Sequence, residues 1–265
     1  MQYHSNTLNF LHIPEFIPPD LSENIFTLLE QLPWKKKHGE RAASKRTNIL
    51  FSDAGLMYST VYFQKRYSRL VHPWDELEML TELKQLVEGE TSTSYNCCSI
   101  MRYPTPDVGI GRHRDKEMIL GTTICGLSFG APRTFKLYPP NYGVDRSVEE
   151  HVISVRLQSG SMYAMFPPTN SLWTHEIAKE SEESISEDLT SHVRYSLTFR
   201  NAPPTTLCTR EYLHGIEERE QKLKEEIQIC TATYLSGKNK GQKCTHPSKP
   251  VYSSNEPRCG IHKMK

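Results

Sequence analysis

Between residues 95 and 200 the chain breaks into six short β-like runs: Tyr95 to Tyr103, Gly121 to Phe129, Arg133 to Tyr138, His151 to Leu157, Ser161 to Phe166 and His192 to Phe199. Turn signals punctuate them, among them Pro139-Pro140, Asn141-Tyr142-Gly143 and Gly160-Ser161. Many short strands between turns predict an all-β sandwich or barrel. Two helices precede it. Pro18-Pro19 leads into Asp20 with Glu23 three residues on, a capping-box pattern, and Leu21, Ile25, Leu28 and Leu32 follow at helical spacing. A second helix is expected from Pro73 to Gly89, with Leu77, Leu80, Leu83 and Val87 on one face. The fold class is therefore mainly β with flanking helices. The acidic stretch Glu180 to Asp188 reads as a solvated loop, and the charged stretch from Thr209 to Gln228 as a connecting helix despite Gly215.

Composition excludes several classes. With 37% hydrophobic and 24% charged residues over 265 positions, the chain can build a core, and neither wholesale disorder nor low complexity fits. No run approaches the about 20 apolar residues of a membrane span, and no signal peptide is readable at the N-terminus, so no membrane partner is expected. Seven cysteines is an odd number, and Cys97, Cys98 and Cys125 sit inside apolar runs where a thiol behaves as a small hydrophobe. A reducing intracellular compartment follows as the expectation.

The first chemical signal is His113-Arg114-Asp115. Residues two apart on extended chain share a face, so this imidazole and carboxylate can meet one ion, and His175 would complete a two-His, one-carboxylate set. Such a set leaves open positions on one face of Fe(II). H-x-D also arises by chance, and a lone histidine is more often an ordinary surface or core residue. What changes the balance is Arg194-Tyr-Ser-Leu-Thr-Phe-Arg200, where two arginines six apart on a strand present their guanidinium groups to one face. A dicarboxylate needs fork-shaped donors of that kind, each charge-assisted hydrogen bond contributing about 1.5–3 kcal/mol.

Taken in order, further motifs accompany these: Phe51-Ser-Asp-Ala-Gly-Leu-Met-Tyr58, Met101-Arg-Tyr103, Ile110 to Glu117, Leu127-Ser-Phe-Gly130 with Arg133 and Phe135, Gly160-Ser161, and Trp173-Thr-His175. Over residues 10 to 201 the chain resembles the AlkB-type Fe(II)/2-oxoglutarate dioxygenases, especially those that repair alkylated bases in nucleic acid. The resemblance implies a double-stranded β-helix, or jelly-roll, over residues 93–204, preceded at 1–92 by the helices and a nucleotide-recognition lid. It implies that His113, Asp115 and His175 bind iron, that Tyr103 and Arg194 hold the distal carboxylate of 2-oxoglutarate, and that Thr198 and Arg200 line the cosubstrate nearer the metal. One position departs from the pattern. The family usually has Asn two residues before the tyrosine, where this chain has Met101, and a thioether cannot replace an amide donor.

The implied chemistry couples 2-oxoglutarate and O2 to hydroxylation of an N-methyl group, with loss of formaldehyde from 1-methyladenine or 3-methylcytosine in DNA and/or RNA. A base reaches such a site only by leaving its stack. Trp173 and His113 are family-like stacking candidates at the metal, and Phe51 and Tyr58 would come from the lid. Glu117 would accept from an exocyclic amine. Lys36, Lys37, Arg41, Lys45 and Arg46 would contact phosphates. Beyond a linker at 205–229, the segment 230–265 holds Cys230, Cys244, Cys259 and His262, the ligand types and number of a structural zinc site, with His246 as a competing ligand. So small a unit needs metal to hold a core.

Charge supports the nucleic-acid reading only once it is divided. The whole chain carries net +1, yet Lys35 to Arg46 carries +5, residues 230–265 carry +6, and the remainder −10. Two basic patches sit on an otherwise acidic protein. The expectation is a monomeric nucleobase demethylase. A 2-oxoglutarate oxygenase acting on protein or lipid, and a noncatalytic nucleic-acid-binding protein with a vestigial iron site, are the alternatives.

Overall fold

The computed structural model describes residues 1–34, 46–62, 65–181 and 191–226. They belong to two compact units, Met1–Thr209 and Arg210–Lys265. In chain order the first contains β1 (Gln2–His4), β2 (Asn9–Ile13), α1 (Pro19–Glu30), β3 (Thr47–Ser52), β4 (Leu56–Tyr62), β5 (Lys65–Leu70), β6 (His72–Pro73), α2 (Glu78–Thr91), β7 (Cys97–Tyr103), β8 (Ile110–His113), β9 (Ile124–Gly130), β10 (Arg133–Tyr138), β11 (Ile153–Leu157), β12 (Ser161–Phe166), α3 (Thr169–Leu172), β13 (Thr174–Ile177), β14 (Arg194–Arg200) and β15 (Leu207–Thr209). In the second, one helix is described, α4 (Arg210–Glu226), where the charged connecting helix is expected.

Among the described residues the strands form three sheets. The largest runs β1-β2-β12-β9-β14-β7-β3-β6, a second runs β11-β10-β13-β8, and a third runs β15-β4-β5. All pairings are antiparallel except that of β3 with β6. The first two sheets face each other. Phe10, Tyr163 and Met165 of the large sheet pack against Phe135, Leu137 and Leu157 of the four-stranded one, with the Phe135 ring 4.7 Å from Tyr163 and 5.9 Å from Phe10. On the other side of the large sheet, Ile100, Leu127, Leu197 and Phe199 bury against Ile25 and Leu29 of α1 and Leu80, Leu83 and Val87 of α2. Each such side chain contributes about 1.5–3 kcal/mol through removal from water.

The period-two alternation of the central strands thus sorts the residues. In β14, Tyr195, Leu197 and Phe199 face the helices, whereas Arg194, Ser196, Thr198 and Arg200 face the sandwich interior. In β7, Cys98 and Ile100 face the helices while Ser99, Met101 and Tyr103 face inward. Ser99, Ser196 and Thr198 are the small polar residues of the inward face, and they leave room beside the larger side chains there.

Both flanking helices differ in detail from the sequence expectation. α1 begins at Pro19 with no side-chain cap, and its buried face is Ser22, Ile25 and Leu29, while Leu21 and Leu28 are exposed. The rotation follows from Ser22, whose hydroxyl donates to the Ile17 carbonyl at 3.2 Å and which sits where a side chain at Gly160 would collide. α2 begins after a 3-10 turn at Trp74–Glu76 and passes Gly89 to end at Ser92, which takes the left-handed conformation of a helix terminus at φ +48°. The segment boundary expected at 92/93 falls inside one compact unit, because β2 and β3 are strands of the same sheet as β7, β9, β12 and β14. Likewise β15 extends the unit into the expected linker, by pairing with β4.

Gly126 of β9 pairs with Tyr163, whose ring lies directly over it, so a Cβ there would overlap the ring. Tyr163 is buried on all sides and has nowhere to move. Gly126→Ala is expected to destabilise the fold by about 1–3 kcal/mol, read as a lowered thermal midpoint of the purified variant.

Candidate metal centre and adjoining cleft

The short strands β8 and β13 pair so that His113 and His175 stand directly opposite each other, with ring centroids 4.4 Å apart. Asp115 follows two residues after His113. The three side chains offer ligand atoms that all lie within 4.8 Å of one another. Asp115 Oδ1 is 3.4 Å from His113 Nε2 and 4.0 Å from His175 Nε2.

Neighbouring groups hold each ligand in place. His113 Nδ1 donates to the Gly111 carbonyl at 2.8 Å, which turns the lone pair of Nε2 toward the shared centre. Burial pushes His175 down to about 4, so its imidazole is neutral near pH 7 and able to ligate. Burial would also lower His113, but its hydrogen bonds to Asp115 and Gly111 raise it above the ordinary histidine value. For Asp115, burial acts upward, yet the contact with His113 and the charge of Arg200 hold it well below the usual carboxylate range. The backbone of Asp115 is clamped by Asn170 of α3, which accepts from its N–H at 3.0 Å and donates to its carbonyl at 2.9 Å.

The two arginines of β14 occupy different environments. Arg200 Nη1 lies 3.3 Å from Asp115 Oδ2, and Nη2 donates to the Tyr58 hydroxyl at 3.3 Å. Arg194 is fully buried, opposite Tyr103 in the β14/β7 register, with its guanidinium carbon 5.0 Å from the Tyr103 ring centre. Its Nε donates to Ser128 Oγ at 2.8 Å and Nη2 to Ser196 Oγ at 3.3 Å, while Nη1 has no hydrogen-bond partner. A buried cation held by hydroxyls, with one N–H pair unspent, fits a carboxylate ligand. Thr198 and Tyr103 line the cavity shared with the three ligands, and Met101 projects into it as well. The His/Asp set and the orphaned guanidinium together fit Fe(II) with a dicarboxylate.

A second cavity of about 310 Å³ adjoins the first across Arg200. Tyr58 and Thr60 of β4 reach into it, and both donate to Glu117, at 2.8 Å to Oε2 and 2.5 Å to Oε1. The β5 side chains paired with them, Arg69 and Tyr67, line the same space. Arg46 is exposed, lies against Met101 Sδ at 3.6 Å, and borders a third cavity with Asn48, Lys179 and Asp107.

Two expected substrate contacts are not brought to this cleft. Phe51 shares with Ile49 the helix-facing side of β3 and is buried in the core with Cys98 and Ile100, because alternate positions of one strand cannot serve the same face. Trp173 is buried between the sheets, its Nε1 donating to Thr7 Oγ1 at 3.2 Å, and is absent from the lining of the metal cavity. Conversely, Asn170, Thr60, Tyr67 and Arg69 were missed. Lys65 to Leu70 is polar and shows no apolar alternation, and Asn170 lies in a four-residue helix, so neither segment carries a sequence signal. Lys36, Lys37, Arg41 and Lys45, and the tail residues Cys230, Cys244, Cys259, His246 and His262, lie outside the described residues.

A model of the 2OG-Fe(II) oxygenase superfamily matches residues 9–200. The chain is 32% identical over 171 residues to the DNA oxidative demethylase ALKBH2 of Bos taurus, covering 62% of this chain and 55% of that protein. To the DNA oxidative demethylase ALKBH2 of Homo sapiens it is 32% identical over 138 residues, 50% of this chain and 49% of that one. It thus spans about half the length of the relatives it matches. The solved structure of OsALKBH1 is similar in fold, with a TM-score of 0.50 at 16% identity, covering 76% of this chain and 99% of that chain. No helix among the described residues is long and apolar enough to cross a membrane. The match runs from β2 to the end of β14 and takes in all three clustered ligands, and this chain belongs to the 2OG-Fe(II) oxygenase superfamily.

Proposed function

We propose that the protein is an Fe(II)- and 2-oxoglutarate-dependent dioxygenase that removes methyl groups from ring nitrogens of nucleobases in DNA or RNA, with 1-methyladenine and 3-methylcytosine as substrates. The observation that carries the reading is the clustered His113, Asp115 and His175 beside the buried, incompletely bonded Arg194. With Fe(II), 2-oxoglutarate and O2 bound, the site supplies an oxidation in which the cosubstrate becomes succinate and CO2 and the N-methyl group is hydroxylated and lost as formaldehyde.

The chain's own residues bind and orient. His113, His175 and Asp115 hold the metal from one side, with Asn170 fixing the carboxylate's backbone. Arg194, braced by Ser128 and Ser196, takes the distal carboxylate together with Tyr103, and Thr198 and Arg200 lie nearer the metal. Met101 offers no N–H there, so binding of the cosubstrate rests on the arginines and the tyrosine.

The cavity across Arg200 takes the base, and β4 with β5 forms its lid. Tyr58 and Thr60 donate to Glu117 and so orient a carboxylate whose remaining lone pairs accept from the exocyclic amine of adenine or cytosine. Tyr67, about half exposed, supplies the stacking face that Phe51 and Trp173 do not. Arg46 at the rim suits a phosphate. The relatives named as DNA oxidative demethylases support this substrate class.

The purified protein, given Fe(II), 2-oxoglutarate and an oligonucleotide with one 1-methyladenine or 3-methylcytosine, is expected to reduce its mass by one methyl, and Asp115→Ala to abolish that loss. Intact methylated DNA and RNA after incubation with iron-loaded protein would reject the proposal. Arg194→Gln is expected to raise KM for 2-oxoglutarate roughly 10- to 100-fold, from loss of one charge-assisted carboxylate contact, measured by succinate release. Tyr67→Ala is expected to lower kcat/KM for the methylated oligonucleotide roughly 10-fold, since stacking of a base contributes about 1–3 kcal/mol, at unchanged KM for 2-oxoglutarate.

A further inference from the structure

The segment formed by β8 and the residues that follow it has a second side. From Arg112 to Glu117 exposure alternates residue by residue: His113, Asp115 and Glu117 are half-buried and directed to the cleft, while Arg112, Arg114 and Lys116 are exposed. Outside its two basic segments the protein carries net −10, so three cations in five residues beside the metal site are a local reversal of sign.

We infer that Arg112, Arg114 and Lys116 form a phosphate-contacting strip, along which the backbone of the nucleic-acid strand lies while its base occupies the cleft. Arg112 lies within β8, and Arg114 and Lys116 follow directly after it, all three exposed. Arg112 is set for such a contact. Its guanidinium carbon lies 5.5 Å from the Tyr138 ring centre and 5.1 Å from that of Tyr142, and the two rings are 4.6 Å apart. A guanidinium stacked on rings keeps its edge N–H groups for an anion and loses little freedom on binding one. The nearest acid on the adjoining strand, Glu176, accepts a 2.5 Å hydrogen bond from the Tyr138 hydroxyl. Arg114 is fixed by donating to the Ser171 carbonyl at 2.6 Å, with its other N–H groups available. Asp115, the acid within the strip, is directed inward to Arg200. The alternation therefore separates one segment into a metal-facing side and an anion-facing side.

The inference rests on the nucleic-acid substrate proposed above, and the test separates the two. Binding of a fluorescein-labelled single-stranded 15-mer with one 1-methyladenine is followed by anisotropy over a range of KCl concentrations, for the wild-type protein and for Arg112→Gln/Lys116→Gln. The slope of log K against log salt is expected to become shallower by roughly 1.4 in the double variant, about 0.7 per lost contact on a single strand. Tyr142→Leu, which removes a ring and no charge, is expected to weaken binding about 2- to 5-fold at unchanged slope. A double variant with the wild-type slope overturns the strip and leaves the substrate class standing. A wild-type protein that neither binds nor demethylates the oligonucleotide overturns both.

Discussion

The antiparallel pairing of β8 with β13 is the contact on which the site depends. It places His113 opposite His175, and nothing in either strand's composition would keep such short polar segments in register. Register comes from the neighbours. β13 is held on its other edge by β10, whose Leu137 stands opposite His175, and β10 carries Phe135 into the stack with Phe10 and Tyr163 of the large sheet. A slip of one residue in β13 would send the imidazole to the outer face and a glutamate inward. The aromatic core between the sheets thus fixes the geometry of the His113, Asp115 and His175 cluster.

The large sheet solves a different problem. Its helix-facing side is apolar and closely packed, while its inward side at the same strands sets serine, threonine and glycine, with Met101 and two tyrosines, around two arginines. Small polar residues leave volume and supply hydroxyls that hold Arg194 without neutralising it. A carboxylate partner within the chain would have filled the role that a bound dicarboxylate is proposed to play. Arg200 shows the contrast: it does have an internal acid, Asp115, and through Tyr58 it links the metal set to the cavity holding Glu117.

Much of this was legible because the buried strands obey a simple period. β10 and β12 occupy the runs read from sequence, and β7, β9, β11 and β14 differ from theirs at the ends. No strand is read from the sequence before residue 95, so β1 to β6 lie outside that reading, as do β8, β13 and β15; of these, Gln2–His4, Lys65–Leu70, Ile110–His113 and Thr174–Ile177 are polar or very short. They form because neighbouring strands complete their hydrogen bonds, which no local propensity reports. That His113, Asp115 and His175 come together could be read from spacing and motif order. The side of the sheet taken by Phe51 and Trp173 could not, since an aromatic residue suits a core and a base equally. Ser22 shows the same in a helix: the buried face of α1 is Ser22, Ile25 and Leu29, with Ser22 fitting beneath Gly160, rather than the leucine stripe through Leu21 and Leu28.

The same alternation that hides some residues exposes the logic of others. From Arg112 to Glu117, where His113, Asp115 and Glu117 are half-buried, the intervening side chains are exposed. At Arg112, Arg114 and Lys116 that exposure is occupied by cations. Lysine or arginine at one such position answers the need for solubility alone. Stacking Arg112 against two tyrosines does something different: the attraction of the ring faces orders a side chain that solvent would otherwise leave mobile, so its guanidinium edge is held in place before any anion arrives.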